Sequence, residues 1–399
     1  MKKFILIAKK FIPLFAIVIL VLTMVYGYHV NKMDQDVVQG YYQQLFPKAD
    51  HFDSISDRTA KAMGADGNLM AYVGICSNVG YGGPVMVGTI MNPTGGIQDV
   101  VILQHKETPS YINKIAQAGY FRQYTKKNAG DPLVLDADID RVSGATLSTR
   151  AIAKSVNDVA HTVAVQALNA TPKKAEISWN IGIKEIAVAL LFILSVFIPR
   201  FKQLAKYRLV FLGLSIVILG FWLNRSLSMG HISALLLGYF PSPSENLIWY
   251  LVLLGALAPA LITGKNIYCA YVCPFHGLQE ATHMISKVNI PIGKYVKWFH
   301  TIKEVILFLV LFFAFLFINP SFSSFEPFGT IFGLNGSSNQ WYLLFVILLT
   351  SFFYRRFWCV AFCPVGTFVD KVAQLGRKIR EIIGLSSKKK VRKVENMNV

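Results

Sequence analysis

Negative charge is scarce in this sequence. Asp and Glu number 22 against 40 Lys and Arg, giving a formal net charge of +18. Charged residues of both signs make up only 16% of the 399 residues, while 53% are apolar. That leaves too little polarity for a wholly water-soluble protein and points to extensive burial in lipid. A basic excess can also mark a nucleic-acid binder. Here the basic residues flank apolar runs and crowd the tail from Lys371 to Lys393. That is the placement of inside loops on a membrane protein, and nucleic acid is excluded as a partner. Cysteine is scarce too. Five residues cannot supply a secreted disulfide framework, and Cys76, alone in its region, reads as a buried apolar residue. The Cys-x-x-Cys-x-x-Cys run of a soluble ferredoxin is missing. No acid–base or nucleophile set gathers around a substrate pocket, which argues against a soluble catalyst.

What is present sorts into an anchor, a polar domain and a membrane domain. Residues 1–29 open with Lys2, Lys3, Lys9 and Lys10 and continue as an apolar run to Tyr28, with no small-x-small cleavage site. They read as a retained first transmembrane helix. Residues 30–172 are polar and read as an α+β domain. Met70–Cys76, Val85–Met91 and Ile97–Gln104 are expected strands. Tyr111–Ala118 and Arg150–Leu168 are expected helices. Residues 173–370 hold five further apolar runs: Ile181–Ile198, Leu209–Leu223, Leu247–Thr263, Val305–Ile318 and Trp341–Tyr354. Some fall short of the roughly 20 residues a comfortable span needs, so flanking residues must join them.

Loop charge orients the spans. Arg200, Lys202, Lys206 and Arg208 mark one inside loop, Lys287, Lys294, Lys297 and Lys303 another, and Arg355, Arg356 and the basic tail 371–399 a third. The loops Ser226–Glu245 and Asn319–Gln340 carry almost no Lys or Arg and are expected outside. The expectation is a polytopic α-helical protein of the cell membrane with six spans. Both termini would be cytoplasmic and the α+β domain extracytoplasmic. The tail would face anionic lipid of the bilayer.

The last four spans contain a repeat. Trp249-Tyr250-Leu251 leads to Tyr268-Cys269-Ala270-Tyr271-Val272-Cys273-Pro274, and Trp341-Tyr342-Leu343 leads to Trp358-Cys359-Val360-Ala361-Phe362-Cys363-Pro364. A four-residue separation puts both sulfurs of a pair on one helix face, and the proline ends or bends that helix. A parallel repeat would bring the pairs together at the cytoplasmic side. Cys269, Cys273, Cys359 and Cys363 then form a candidate metal site for an iron–sulfur cluster or zinc. A metal-free dithiol couple and plain helix packing are the alternatives. His231, His276, His283 and His300 lie near span boundaries, where a haem ligand or an ordinary interfacial histidine would both fit. Glu326 could bind a quinone head group or cap its own loop.

One polar stretch remains: Asp140-Arg141-Val142-Ser143-Gly144-Ala145-Thr146-Leu147-Ser148. Gly144 and Ala145 let a bulky group approach the backbone. On the residues alone, Ser143 or Thr146 reads equally as a helix N-cap. The stretch resembles the flavinylation motif of FMN-binding domains, Asp-x-x-Ser/Thr-Gly-Ala-Thr-x-Ser/Thr, matched here by Asp140, Ser143, Gly144, Ala145, Thr146 and Ser148. Upstream, Gly80-Tyr81-Gly82-Gly83-Pro84 resembles that domain's glycine turn, and His105-Lys106-Glu107-Thr108-Pro109 its His-x-Glu-Thr-Pro segment. The resemblance implies FMN joined to Thr146 through a phosphoester by a flavin transferase. It implies a cofactor site that also includes Gly82, Gly83, His105, Glu107 and Thr108.

Flavin motif, membrane spans and two Cys-x-x-x-Cys-Pro motifs in this order resemble the NosR/PceC group of membrane proteins, as does Phe325-Glu326-Pro327-Phe328-Gly329-Thr330. NosR-type proteins continue into a cysteine-bearing ferredoxin segment. The lack of further cysteines after Cys363 makes this sequence more similar to the PceC type, which accompanies reductive dehalogenases. The implied function is electron transfer in anaerobic respiration, from menaquinol or another quinol pool towards an exported reductive dehalogenase or its anchor. Two other roles are compatible with the same features. One is a redox-sensing or maturation protein for an exported metalloenzyme, marked by slow, substoichiometric electron delivery. The other is a structural anchor for a peripheral reductase, marked by partner binding without flavin or metal.

Overall fold

The computed structural model describes residues 2–383 except 32–34, 81–82, 106, 108, 137, 144, 174–180, 202, 204–205, 245, 287, 289, 292, 324, 335 and 337. Two compact units emerge. The first is residues 1–178 with 234–240 and 313–322; the second holds the remainder.

The first unit begins with helix α1 (Lys2–Val30) and helix α2 (Gln35–Leu45). Five strands follow as an antiparallel meander in sequence order: β1 (His51–Ser56), β2 (Thr59–Met63), β3 (Leu69–Val79), β4 (Pro84–Met91) and β5 (Ile97–His105). Helix α3 (Pro109–Gln117), a 3₁₀ turn (Tyr120–Lys126) and helix α4 (Thr146–Gln166) complete it. Strand alternation divides the apolar side chains between two cores. On one face Tyr72, Val85, Val87 and Val100 meet Ile152, Val156, Val159 and Val163 of α4. On the other, Ala71, Val73, Ile75 and Met86 meet Val38, Tyr42 and Leu45 of α2. A sheet buried on both sides explains why β4 is apolar at successive positions, broken only by Thr89.

Cys76 departs from the expectation of a buried apolar residue. It is half-buried on β3, with Sγ 3.7 Å from Asp158 Oδ2 and 3.6 Å from Asn78 Nδ2. Burial first, and then the Asp158 charge, push its thiol up to about 11. Its strand neighbours at even spacing face a polar stripe of α4, where Asn78 also donates to Ser155 Oγ at 3.1 Å.

The second unit is helical; of the helices that follow, residues 234–236 and 313–316 are counted with the first unit. Its elements are α5 (Ile183–Phe197), α6 (Arg208–Ser215, continuing as a π-helical stretch Ile216–Trp222), α7 (Met229–Leu236), α8 (Leu247–Thr263), a π turn (Tyr268–Val272) and α9 (Pro274–Ser286). Then come α10 (Val296–Leu316), α11 (Phe328–Gly333), α12 (Ser338–Phe353), α13 (Phe357–Ala361) and α14 (Pro364–Ile382). A helix stands at each expected apolar run. Among the described residues two helices, Phe11–Val30 and Val296–Leu316, are long and apolar enough to cross a membrane. Arg208–Trp222, Leu247–Thr263 and Ser338–Phe353 are apolar but shorter. Two of the six expected spans thus correspond to helices of spanning length among the described residues.

The chain reverses after α8 and after α12. Gly264 ends α8 at φ 69° and Arg356 follows α12 at φ 58°, both in the left-handed region. Each reversal sends the following cysteine segment back into the bundle. The expected inside and outside loops thereby meet. Leu227 donates its backbone N–H to the Tyr268 hydroxyl at 3.0 Å. The Phe275 and Phe328 rings lie 5.1 Å apart, and Phe325 and Trp358 5.8 Å apart. Sequence charge places 227 and 325–328 on the face opposite the cysteines. These contacts bring 227 and 325–328 against residues beside the cysteine pairs.

Candidate functional site

Two sites emerge, one in each unit. The first surrounds the start of α4. Ala145 is its N-cap, and no side chain caps the helix. The N-cap role open to Ser143 or Thr146 is thus taken by neither. Thr146 is the first helical residue and half-buried. An uncapped helix start presents backbone N–H groups and a positive dipole end, both suited to a phosphate.

Beneath this turn three segments distant in sequence converge. Ser148, fully buried, donates its hydroxyl to Glu107 Oε1 at 2.9 Å. A Cβ on Gly80 would lie 2.0 Å from the same oxygen. Gly80 is thus glycine because the Glu107 carboxylate occupies that space. The turn is pinned from behind. Tyr120 Oη donates to the Thr149 carbonyl at 2.8 Å and lies 2.9 Å from Tyr124 Oη. Gln123 fixes Asp140, accepting from its N–H at 2.7 Å and donating to its carbonyl at 3.3 Å. Asp140, Ser143 and His105 are exposed, and Ala145 is buried. Gly83 accepts from the Gly80 N–H at 2.9 Å and closes the β3–β4 turn. Gly82, Thr108 and Gly144 lie outside the described residues.

The second site gathers the cysteine pairs. Cys273 and Cys363 are buried, and Cys269 and Cys359 half-buried. A Cβ on Gly366 would lie 3.7 Å from Cys269 Sγ and 3.8 Å from Cys363 Sγ, so the two repeats bring sulfurs to one place. Among the described residues, no three His, Cys, Asp or Glu side chains are arranged to hold a single metal ion. Four cysteine sulfurs are the donor set that an iron–sulfur cluster or zinc takes, and the residues fit such a group by their donor chemistry.

Sequence reading missed the polar shell of this site. Gln279, wholly buried, donates to Cys359 Sγ at 3.1 Å and accepts from the Trp358 N–H at 3.1 Å. Asn266 accepts from the Cys269 N–H at 3.0 Å and donates to Asp370 Oδ1 at 2.8 Å. Glu280 is buried among His276 and three arginines: Arg355 Nη2 at 3.1 Å, Arg208 Nη2 at 3.3 Å and Arg356 Nε at 3.5 Å. Burial alone would raise the Glu280 carboxyl. The His276 and Arg355 hydrogen bonds and the Arg208 charge outweigh it and hold the group well below the usual range. Arg208 Nε also donates to the Ala270 carbonyl inside the first cysteine pair, at 3.0 Å. Among these, Glu280 has a counterpart of like charge at the same offset from the other cysteine pair, Asp370, but Gln279 and Asn266 have no like counterpart, so the sequence carried little signal for them.

The remaining candidates have local roles. Glu326 is buried and accepts from the Met229 N–H at 2.8 Å, at the start of α7. His231 Nδ1 lies 3.1 Å from Ser228 Oγ, His276 accepts from Arg208 at 2.8 Å, and His300 lies 3.8 Å from Glu304.

Comparison with known proteins agrees with this division. Residues 80–161 match the FMN-binding domain family, and residues 245–293 with 342–382 match a 4Fe-4S binding domain family. The chain is similar to Protein NirI of Paracoccus denitrificans, 28% identical over 49% of this chain and 32% of NirI. It is similar to Regulatory protein NosR of Pseudomonas aeruginosa, 26% identical over 45% of this chain and 27% of NosR. A component of the proton-translocating ferredoxin:NAD(+) oxidoreductase complex of Clostridium ljungdahlii is 29% identical over 30% of this chain and 68% of that component. The chain thus spans about a third or less of the length of NirI and NosR. It resembles NosR and NirI in part, and carries one region that matches an FMN-binding domain and another that matches a 4Fe-4S binding domain.

Proposed function

We propose that this chain is a membrane-bound electron-transfer flavoprotein carrying FMN on Thr146 and one [4Fe–4S] cluster on Cys269, Cys273, Cys359 and Cys363. The observation that supports the flavin half is the uncapped first turn of α4, which begins at Thr146 and carries Ser148, bonded to Glu107 beside Gly80, within the matched FMN-binding region. Glu107 and Ser148 brace the turn. The amides after Ala145 would receive the phosphate. When bound, FMN accepts two electrons and releases them singly, which suits a junction between quinol and one-electron centres. The cysteine site would serve as the one-electron relay. Electrons would come from menaquinol or another quinol and pass towards an exported reductive dehalogenase, the acceptor that the PceC-type resemblance implies. The flavin domain would lie outside the cell membrane and the chain termini inside.

The test is flavin fluorescence in a denaturing gel after expression with an active flavin transferase. Fluorescence that survives denaturation and vanishes in Thr146→Ala supports the covalent carrier. A dark wild-type band, with the transferase active on a control substrate, overturns it. A regulatory or maturation role is the second reading, and the name of the NosR relatives, Regulatory protein NosR, favours it. Electron delivery at respiratory turnover argues for the first reading; delivery far below one electron per acceptor turnover argues for the second.

A further inference from the structure

The two repeats are cross-braced. α8, before the first cysteine pair, packs on α14, which follows the second. α12, before the second pair, packs on α9, which follows the first. At each crossing the same two positions meet. Asn266 stands three residues before Cys269, and Arg356 three before Cys359. Glu280 stands seven after Cys273, and Asp370 seven after Cys363. Asn266 of the first repeat bonds Asp370 of the second at 2.8 Å. Arg356 of the second repeat pairs with Glu280 of the first at 3.5 Å. The relation is reciprocal although the chemistry differs, one pair being amide–carboxylate and the other guanidinium–carboxylate.

The first brace also grips a cysteine segment. Asn266 Oδ1 takes the Cys269 N–H, and Asn266 Nδ2 lies 3.5 Å from the Gly366 carbonyl of the other repeat. Gly366 in turn donates its N–H to Cys363 Sγ at 3.4 Å. Arg356 holds a left-handed φ of 58°, a conformation that a non-glycine residue keeps only where its surroundings impose it. Next to Glu280 on α9, Gln279 reaches Cys359 Sγ across the repeats. Neither brace touches a reacting atom.

We propose that Asn266–Asp370 and Arg356–Glu280 are reciprocal latches that hold the two Cys-x-x-x-Cys segments in register as one four-thiolate site, a role that rests on the cluster reading above. They are positioning residues, and partners of this kind carry about 10–100-fold in metal affinity.

The test exchanges the first latch. Full-length chain in nanodiscs is reconstituted anaerobically with iron and sulfide. Cluster is read as bound iron per chain, as the electron paramagnetic resonance of the reduced sample, and as the rate of loss to a chelator. Asn266→Asp sets two carboxylates against each other and is expected to speed chelator loss at least about tenfold. The exchange Asn266→Asp with Asp370→Asn restores one amide and one carboxylate and is expected to return the rate to within about twofold of wild type. Circular dichroism of each variant reports whether the helices still form. Wild-type loss rates and an unchanged spectrum in the folded Asn266→Asp chain would overturn the latch and leave the cluster reading intact. So would a folded double exchange that fails to recover. No cluster in wild type, with reconstitution shown to work on a control ferredoxin, would overturn the cluster reading and the latch with it.

Discussion

Gly80 and Glu326 show how single residues are constrained here by what lies against them. The Glu107 carboxylate fills the place of a Gly80 Cβ at 2.0 Å. Gly80→Ala must therefore displace Glu107 and with it the Ser148 hydrogen bond. The expected result is a loss of about 1–3 kcal/mol in stability, seen in thermal unfolding, together with weaker flavin fluorescence in the denaturing gel. Unchanged loading would separate Glu107 from the flavin site. At Glu326, burial raises the carboxyl to about 7, against about 4.3 for an unfolded chain. The folded state then binds a proton that the unfolded state has lost, so stability falls as pH rises through this window and levels above it. Glu326→Gln keeps an acceptor for the Met229 N–H and removes the ionisation. It should stabilise the protein by about 1–3 kcal/mol at pH 8, with most of the gain gone at pH 5. Unfolding midpoints of both chains at the two pH values check this. An equal gain at both would mean that Glu326 is not the titrating group.

Elements were legible where apolar periodicity was strong. β3, β4, β5 and α8 fall on or within a few residues of their expected bounds, because buried β-branched and apolar runs dominate those segments. β1 and β2 escaped because His51–Ser56 is polar and Thr59–Met63 is short and rich in Ala and Lys, residues with little strand preference. The cysteine pairs were legible as a repeat. Their braces were not, since Asn266 and Asp370 look ordinary until two crossing helices place them 2.8 Å apart. The α8–α14 crossing gives an element-scale prediction. A Cβ on Gly376 would stand 2.0 Å from the Leu261 carbonyl oxygen, backbone against backbone. Gly376→Ala cannot be absorbed by a side-chain rotation and must part the helices. The expected cost is about 1–3 kcal/mol, with a broadened or diminished cluster spectrum as Asp370 moves off Asn266. Gly213, where an added Cβ meets nothing within 4 Å, is the control: Gly213→Ala should leave the spectrum unchanged.

At the scale of the whole molecule, sequence charge sets the cysteines and the flavin on opposite sides of a hydrocarbon layer roughly 30 Å thick. Contacts within the helical unit lessen that difficulty. Leu227 reaches Tyr268, Phe328 reaches Phe275 and Phe325 reaches Trp358. Segments assigned to the outer face therefore touch the residues beside each cysteine pair. In our proposal the four thiolates sit inside the layer, reached from both faces, and relay electrons between quinol and the flavin domain. The chain in proteoliposomes, loaded with flavin and given a membrane-soluble quinol, should then show bleaching of flavin absorbance. Replacing Cys269, Cys273, Cys359 and Cys363 together by Ser should slow that bleaching by orders of magnitude while leaving covalent flavin unchanged. Removing Arg355, which is half exposed beside Glu280, should slow it far less. If the four-cysteine variant bleaches at the wild-type rate, the cysteines are not on the path. Quinol would then have to reach the flavin by a route that avoids them, and the cysteine site would be left to sensing or assembly, as the regulatory reading requires.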